Sequence, residues 1–204
     1  MDYRILCWLA LLSLAACSAS PGVRYYTLSA VPSGSDAVAS SGRAIYSVDA
    51  VVIPDLLDRP EIVMRAGSNG AHVLEYDRWI APLPDLLRRV IAADLSARLG
   101  TGAVVQPGLP SGPSVRRIAI SVLEFDAGSD GQSVLDASWT ISDLGTVPDG
   151  GSIEIHRVRH VASTKGVDAK NVVATMNRLL PALVNDILAS LPQDQCTMPQ
   201  ACKY

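Results

Sequence analysis

Aromatic side chains are scarce: one Phe, three Trp and six Tyr stand among 204 residues, while apolar residues of all kinds make up 49%. The core must therefore be built from Val, Ile, Leu and Ala. Charge of one sign is lacking too, with 17 Lys and Arg against 20 Asp and Glu and a net charge of −3. Nucleic-acid binders cluster basic residues to neutralise phosphates, so that class is excluded. No Gly-x-Ser-x-Gly elbow, phosphate-cradling glycine loop, His-Glu-x-x-His or Gly-x-Gly-x-x-Gly occurs. A non-catalytic protein with no cofactor is expected, and no repeat of fixed short period points to a solenoid.

Two weaker chemical signals fail on their ligands. The stretch from Asp126 to Gly131 has the look of a calcium loop. However, Gly128 stands at the third ligand position and Ala137 where the bidentate glutamate belongs, so a turn is expected. His156 and His160 could face the same side of one strand, yet the pair is read as two imidazoles without a nearby carboxylate or thiolate, and so as a poor ligand set. No metal site is expected.

What is present begins at the N-terminus. Behind Arg4 an apolar run extends from Ile5 to Ala16, shorter than the about 20 residues that span a bilayer. A basic residue, a short apolar run and small residues at its end make a cleavable export signal. Leu14-Ala15-Ala16-Cys17 resembles the bacterial lipobox. This implies cleavage between Ala16 and Cys17 and acylation of the Cys17 thiol and of the new amine. Ser18, where an aspartate would favour inner-membrane retention, points to the outer membrane, facing the periplasm. Residues 1–16 are thus read as signal, 17–23 as lipidated tether and 24–204 as one periplasmic domain; about 190 residues suffice for a genuine core.

Cys196 and Cys202 are the two cysteines left to that domain. In an oxidising compartment the pair is read as a disulfide closing a small tail loop, worth roughly 2 kcal/mol. Two free thiols are the alternative, as is a metal site, which would lack its third and fourth ligands.

Periodicity then divides the domain. Strands are expected over Arg24–Ala30, Ala44–Ile53, Pro60–Ala66, Ala71–Asp77, Ala103–Gln106, Val115–Asp126, Gln132–Asp143 and Gly151–Ala162, with a hairpin turn at Gly67-Ser-Asn-Gly70. Between Gln132 and Asp143 apolar Leu135, Ala137, Trp139 and Ile141 alternate with polar neighbours, as in a strand with one buried face. A helical stripe runs from Leu83 to Leu99 and ends at Gly100; a second helix starts near Asp168, with Pro181 expected to kink or break it. The fold class is α+β: a largely antiparallel sheet of about seven strands with two long helices packed on one face.

One set of segments carries a family resemblance. Tyr25-Tyr26-Thr27-Leu28, Val51-Val52-Ile53-Pro54, Leu57-Asp58-Arg59-Pro60-Glu61-Ile62-Val63-Met64-Arg65 and Asp77-Arg78-Trp79 before Pro82-Leu83 are similar to the ABC-type transport auxiliary lipoproteins. That family includes paraquat-inducible protein C-like members and was formerly a domain of unknown function. The sequence departs from the pattern at Ile80-Ala81, where a small and an acidic residue are expected. The resemblance implies an outer-membrane adaptor or docking point in a lipid-trafficking system. Its partners would be a periplasmic MCE-domain protein, an ABC permease and an ATPase, with homo-oligomerisation left open. Arg59, Arg65, Arg78 and Trp79, types enriched at interface centres, are the candidate partner contacts. A lipoprotein of another envelope assembly, a stand-alone lipid binder and a surface hydrolase are the other readings.

Overall fold

The computed structural model describes residues 21–30, 44–100, 102–106, 115–143 and 154–192. Ala16, Cys17, Cys196 and Cys202 lie outside the described residues, so the expectations about signal cleavage, lipidation and the disulfide are not addressed by it. The described chain forms β1 (Arg24–Tyr26), β2 (Ile45–Val52), β3 (Glu61–Ala66), β4 (Gly70–Trp79), α1 (Leu83–Leu99), β5 (Val104–Val105), β6 (Val115–Gly128), β7 (Gln132–Asp143), β8 (His156–Ser163) and α2 (Ala169–Ser190).

All eight strands join one sheet, organised by β6. Along one edge β6 pairs antiparallel with β7, which pairs antiparallel with β8. Its other edge carries two strands in succession, both parallel to it: β2 beside Val115–Ser121, then β3 beside Ala127 and Gly128. Beyond them β5 runs parallel to β2, β4 antiparallel to β3, and β1 parallel to β4.

The α+β class is therefore as expected, but the sheet is mixed and has eight strands rather than being largely antiparallel with about seven. The physical reason is the crossover through α1. A parallel pair needs a long return connection, and α1 carries the chain back so that β5 and β6 run alongside β2. Hairpin signals report only neighbours in sequence.

Both helices cover the same face. Their inner stripes are buried against different strands. Leu86, Leu87, Val90, Ile91 and Leu95 of α1 lie over β2 and β5, which supply Tyr46, Val48, Val51 and Val104; Val172, Met176, Leu180, Leu183 and Ile187 of α2 lie over β6, β7 and β8, which supply Phe125, Leu135 and Ala137. Each such side chain contributes about 1.5–3 kcal/mol through loss of apolar contact with water. By length and composition α2 could also cross a bilayer, but its apolar stripe is occupied by the core. Asp168 caps it, accepting the Asn171 backbone N–H at 3.1 Å. Pro181 does not break it in two. Proline removes only the donor that would reach the Asn177 carbonyl, and buried Leu179, Leu180, Leu183 and Val184 hold both sides of that gap.

The expected hairpin forms around Gly67, whose φ of 67° places it in the left-handed region. The Asp126–Gly131 stretch is a turn: β6 runs on to Gly128, and the Gly131 N–H donates to the Gly128 carbonyl at 3.1 Å.

Candidate functional site

Strand alternation sends every second side chain to the face opposite α1 and α2, where charged residues gather in two groups among the described residues. The first lies where the chain enters the sheet. Glu61 pairs across strands with Arg78. Its carboxylate accepts from Arg59 Nε at 3.2 Å and sits 3.3 Å from Arg78 Nη2. Its own backbone N–H, joined by the two guanidiniums, holds it below the usual carboxylate range. Val23, Val73, Glu75 and Tyr76 complete a hollow of about 510 Å³ around these three residues. Tyr25 on β1 stands opposite Arg78.

The second group lies farther across the sheet. A bulge between Val122 and Glu124 sets Glu124 opposite Asp136 and Phe125 opposite Leu135. Arg65 bonds Glu124 and lies 3.2 Å from Asp126. Arg159 bonds Glu124 and reaches Asp136 at 3.4 Å. Arg157 grips Asp136 with both prongs, Nε to Oδ1 at 3.0 Å and Nη2 to Oδ2 at 2.9 Å.

Two carboxyls of this network are pushed in opposite directions. Arg157 holds Asp136 below its ordinary range, whereas burial pushes Asp126 up against the opposing pull of Arg65.

The four candidate contacts thus divide. Arg59 and Arg78 meet at Glu61, Arg65 belongs to the second group, and Trp79 is 5% exposed within the hydrophobic core. Tyr25, Tyr76 and Val23, which line or border the first site, were not singled out from sequence. The adjacent Tyr25-Tyr26 pair was the available signal, and β1 turns only Tyr26 inward.

On the helix face, α2 changes the environment of the histidines. His160 Nε2 is 2.6 Å from Asp186 Oδ2, and His156 stacks on Trp139 with centroids 5.5 Å apart and lies 3.8 Å from Glu154. Asp186, remote in sequence, and Glu154, only two residues before His156, correct the expectation that no carboxylate lies near these histidines. The imidazoles nevertheless engage different partners, and among the described residues no group of three or more His, Cys, Asp or Glu is placed to hold a metal. Trp139 Nε1 donates to Ser190 Oγ at 2.9 Å, and that hydroxyl donates onward to the Ile187 carbonyl at 2.7 Å. These contacts lock α2 onto the sheet beside a hollow of about 520 Å³.

Both hollows carry carboxylates and guanidiniums in their walls, chemistry suited to recognising polar surfaces.

Residues 26–188 match the family described as the ABC-type transport auxiliary lipoprotein component. The chain is 25% identical over 192 residues to the intermembrane transport lipoprotein PqiC of Escherichia coli (strain K12), covering 94% of this chain and 96% of that protein. The same figures hold for PqiC of Shigella flexneri. A crystal structure of an uncharacterized protein superposes with TM-score 0.68 at 18% identity, covering 83% of this chain and 98% of that one. A Xanthomonas campestris protein gives TM-score 0.61 at 14% identity, with coverage of 81% and 92%. These two structures support the fold.

Proposed function

The chain belongs to the ABC-type transport auxiliary lipoprotein family, and from that premise we propose that it is a non-catalytic envelope adaptor in intermembrane lipid transport, anchored through acylated Cys17 in the outer membrane and facing the periplasm. Its partners in this reading are a periplasmic MCE-domain protein and the ABC permease and ATPase that work with it. The observation that carries the proposal is the family match across the folded domain, to which the lipobox at Leu14–Cys17 adds the anchor. A disulfide between Cys196 and Cys202 would close the tail beyond α2.

The sheet face that the described residues leave uncovered supports an adaptor role because it presents fixed charges rather than an apolar cavity. Arg65, Glu124, Asp136, Arg157 and Arg159 are held in place by one another, so a partner meets preorganised donors and acceptors with little side-chain entropy left to lose. Arg59 and Arg78 stand at the margin of that surface. A stand-alone lipid binder would bury acyl chains in an apolar pocket, and the carboxylates and guanidiniums in the walls of both hollows argue against that use.

The test is a pull-down of the tagged lipoprotein from native membranes with mass spectrometry of what accompanies it, beside Cys17→Ser. Recovery of an MCE-domain protein with its transporter supports the adaptor. Abundant, membrane-bound protein that brings down no such partner sinks it.

A further inference from the structure

In sequence, five residues stand between Cys17 and Val23. From Cys17 to Val23 a fully extended chain reaches about 20 Å, so the membrane that holds the acyl chains lies near the β1 edge of the sheet. That edge exposes an unusual set of side chains for this aromatic-poor protein: Val23 at 41%, Tyr25 at 62%, Tyr76 at 42% and Ile80 at 65%.

These residues lie around one site. Tyr25 stands opposite Arg78, Val23 and Tyr76 share the hollow with Arg59 and Arg78, and the Ile80 N–H donates to the Tyr26 carbonyl at 2.8 Å. The guanidinium side chains of Arg59 and Arg78 keep 41% and 39% of their surface exposed, and Glu61 engages only part of their donors.

We propose that this β1–β4 edge rests on the phospholipid surface of the anchoring membrane, Tyr25, Tyr76 and Val23 among the headgroups and Arg59 and Arg78 on lipid phosphates. The assignment rests on the lipid-anchored reading given above. Tyrosine fits a membrane–water boundary because its ring is apolar and its hydroxyl is wet, and arginine matches phosphate with planar paired donors. Local charge is balanced by Glu61 and Glu75, so the contact depends on ring burial and hydrogen bonding more than on attraction to a strongly anionic membrane.

Five strand spacings separate β1 from β8 along the sheet, about 24 Å. Seated on its β1 edge, the domain holds Arg157, Arg159 and the 52% exposed Val161 away from the lipid and available to a partner.

The experiment uses full-length lipoprotein in its native membranes, with a photoactivatable benzophenone amino acid replacing Tyr25, Tyr76 or Val161, followed by irradiation and mass analysis of adducts. Phospholipid adducts at Tyr25 and Tyr76 about tenfold above those at Val161 are expected from a ring seated at the headgroup level. Equal yields at all three positions, no lipid adduct at Tyr25 and Tyr76, or discrete protein adducts there would each overturn the proposal. Membrane fractionation with Cys17→Ser alongside separates the two possible failures. If the unsubstituted protein is not membrane-bound, the anchor reading falls and the patch falls with it; if it is bound but lacks the contrast, only the patch falls.

Discussion

The two faces of the sheet are built from alternate residues of the same strands yet are held by different forces. On the helix face, Phe125, Leu135 and Ala137 are fully buried beneath α2. One residue away on the same strands, Glu124 and Asp136 face outward into ion pairs with Arg65, Arg157 and Arg159. The buried face gains stability in proportion to area and tolerates little change in shape. Ion pairs whose guanidiniums stay open to solvent, as those of Arg157 and Arg159 do even where Asp136 is buried, contribute little net energy, because water competes for the exposed charge and salt screens what remains. Their value lies in a fixed pattern of charge, which suits recognition more than folding.

The sharpest break in that comparison is Phe125→Ala. Loss of a buried ring costs about 3–5 kcal/mol through transfer and cavity terms, measured by denaturant unfolding. A loss below 1 kcal/mol would mean that the helices do not hold this face as described.

Asp136→Asn should have a smaller effect with a characteristic pH dependence. Its folded-state pKa is depressed by Arg157, so the native carboxylate adds stability that is fully present above the ordinary aspartate range and is lost as pH falls through the depressed value. The variant should melt below the parent at pH 7 and converge with it in acid. A gap that persists unchanged at pH 2 would refute the assignment.

Asp126→Asn runs the other way. Burial raises the Asp126 pKa, so its contribution is complete below the unfolded value and is lost as pH rises through the folded one. Near neutrality the amide is expected to match the parent or melt slightly above it, with a clear fall in melting temperature as the contrary result.

Smallest of all is Leu123→Ser. Leu123 sits at the bulge beside Phe125 but is 45% exposed, and the change should stay within about 0.5 kcal/mol in the same unfolding assay.

Local structure was legible where local rules govern. Alternation between Gln132 and Asp143 gave β7 with its ends, Gly67 marked the hairpin, and the stripe from Leu83 to Leu99 gave α1. Pairings between distant segments were not legible. Nothing along the chain says that β2 and β3 lie end to end beside β6, because parallel partners leave no turn between them to read. For the same reason Arg59, Arg65 and Arg78 resembled one cluster in sequence but serve two. Asp186 could not be matched to His160 until α2 was laid across β8. Trp79, which as a residue type suggested an interface, is buried because strand alternation points it toward the helices while Arg78 faces out.

The shared edge of β6 also sets a timetable. Ile45 finds its partner at Val115 and Met64 at Ala127, so β2 and β3 wait for about 60 to 70 further residues before either can be completed. A chain emerging from its N-terminus therefore carries Val- and Ile-rich strands, each with an edge still unpaired, through about a third of its own synthesis, exposed to any sticky neighbour. Closure of the sheet is then a late event dominated by one strand: whatever delays β6 delays the whole domain.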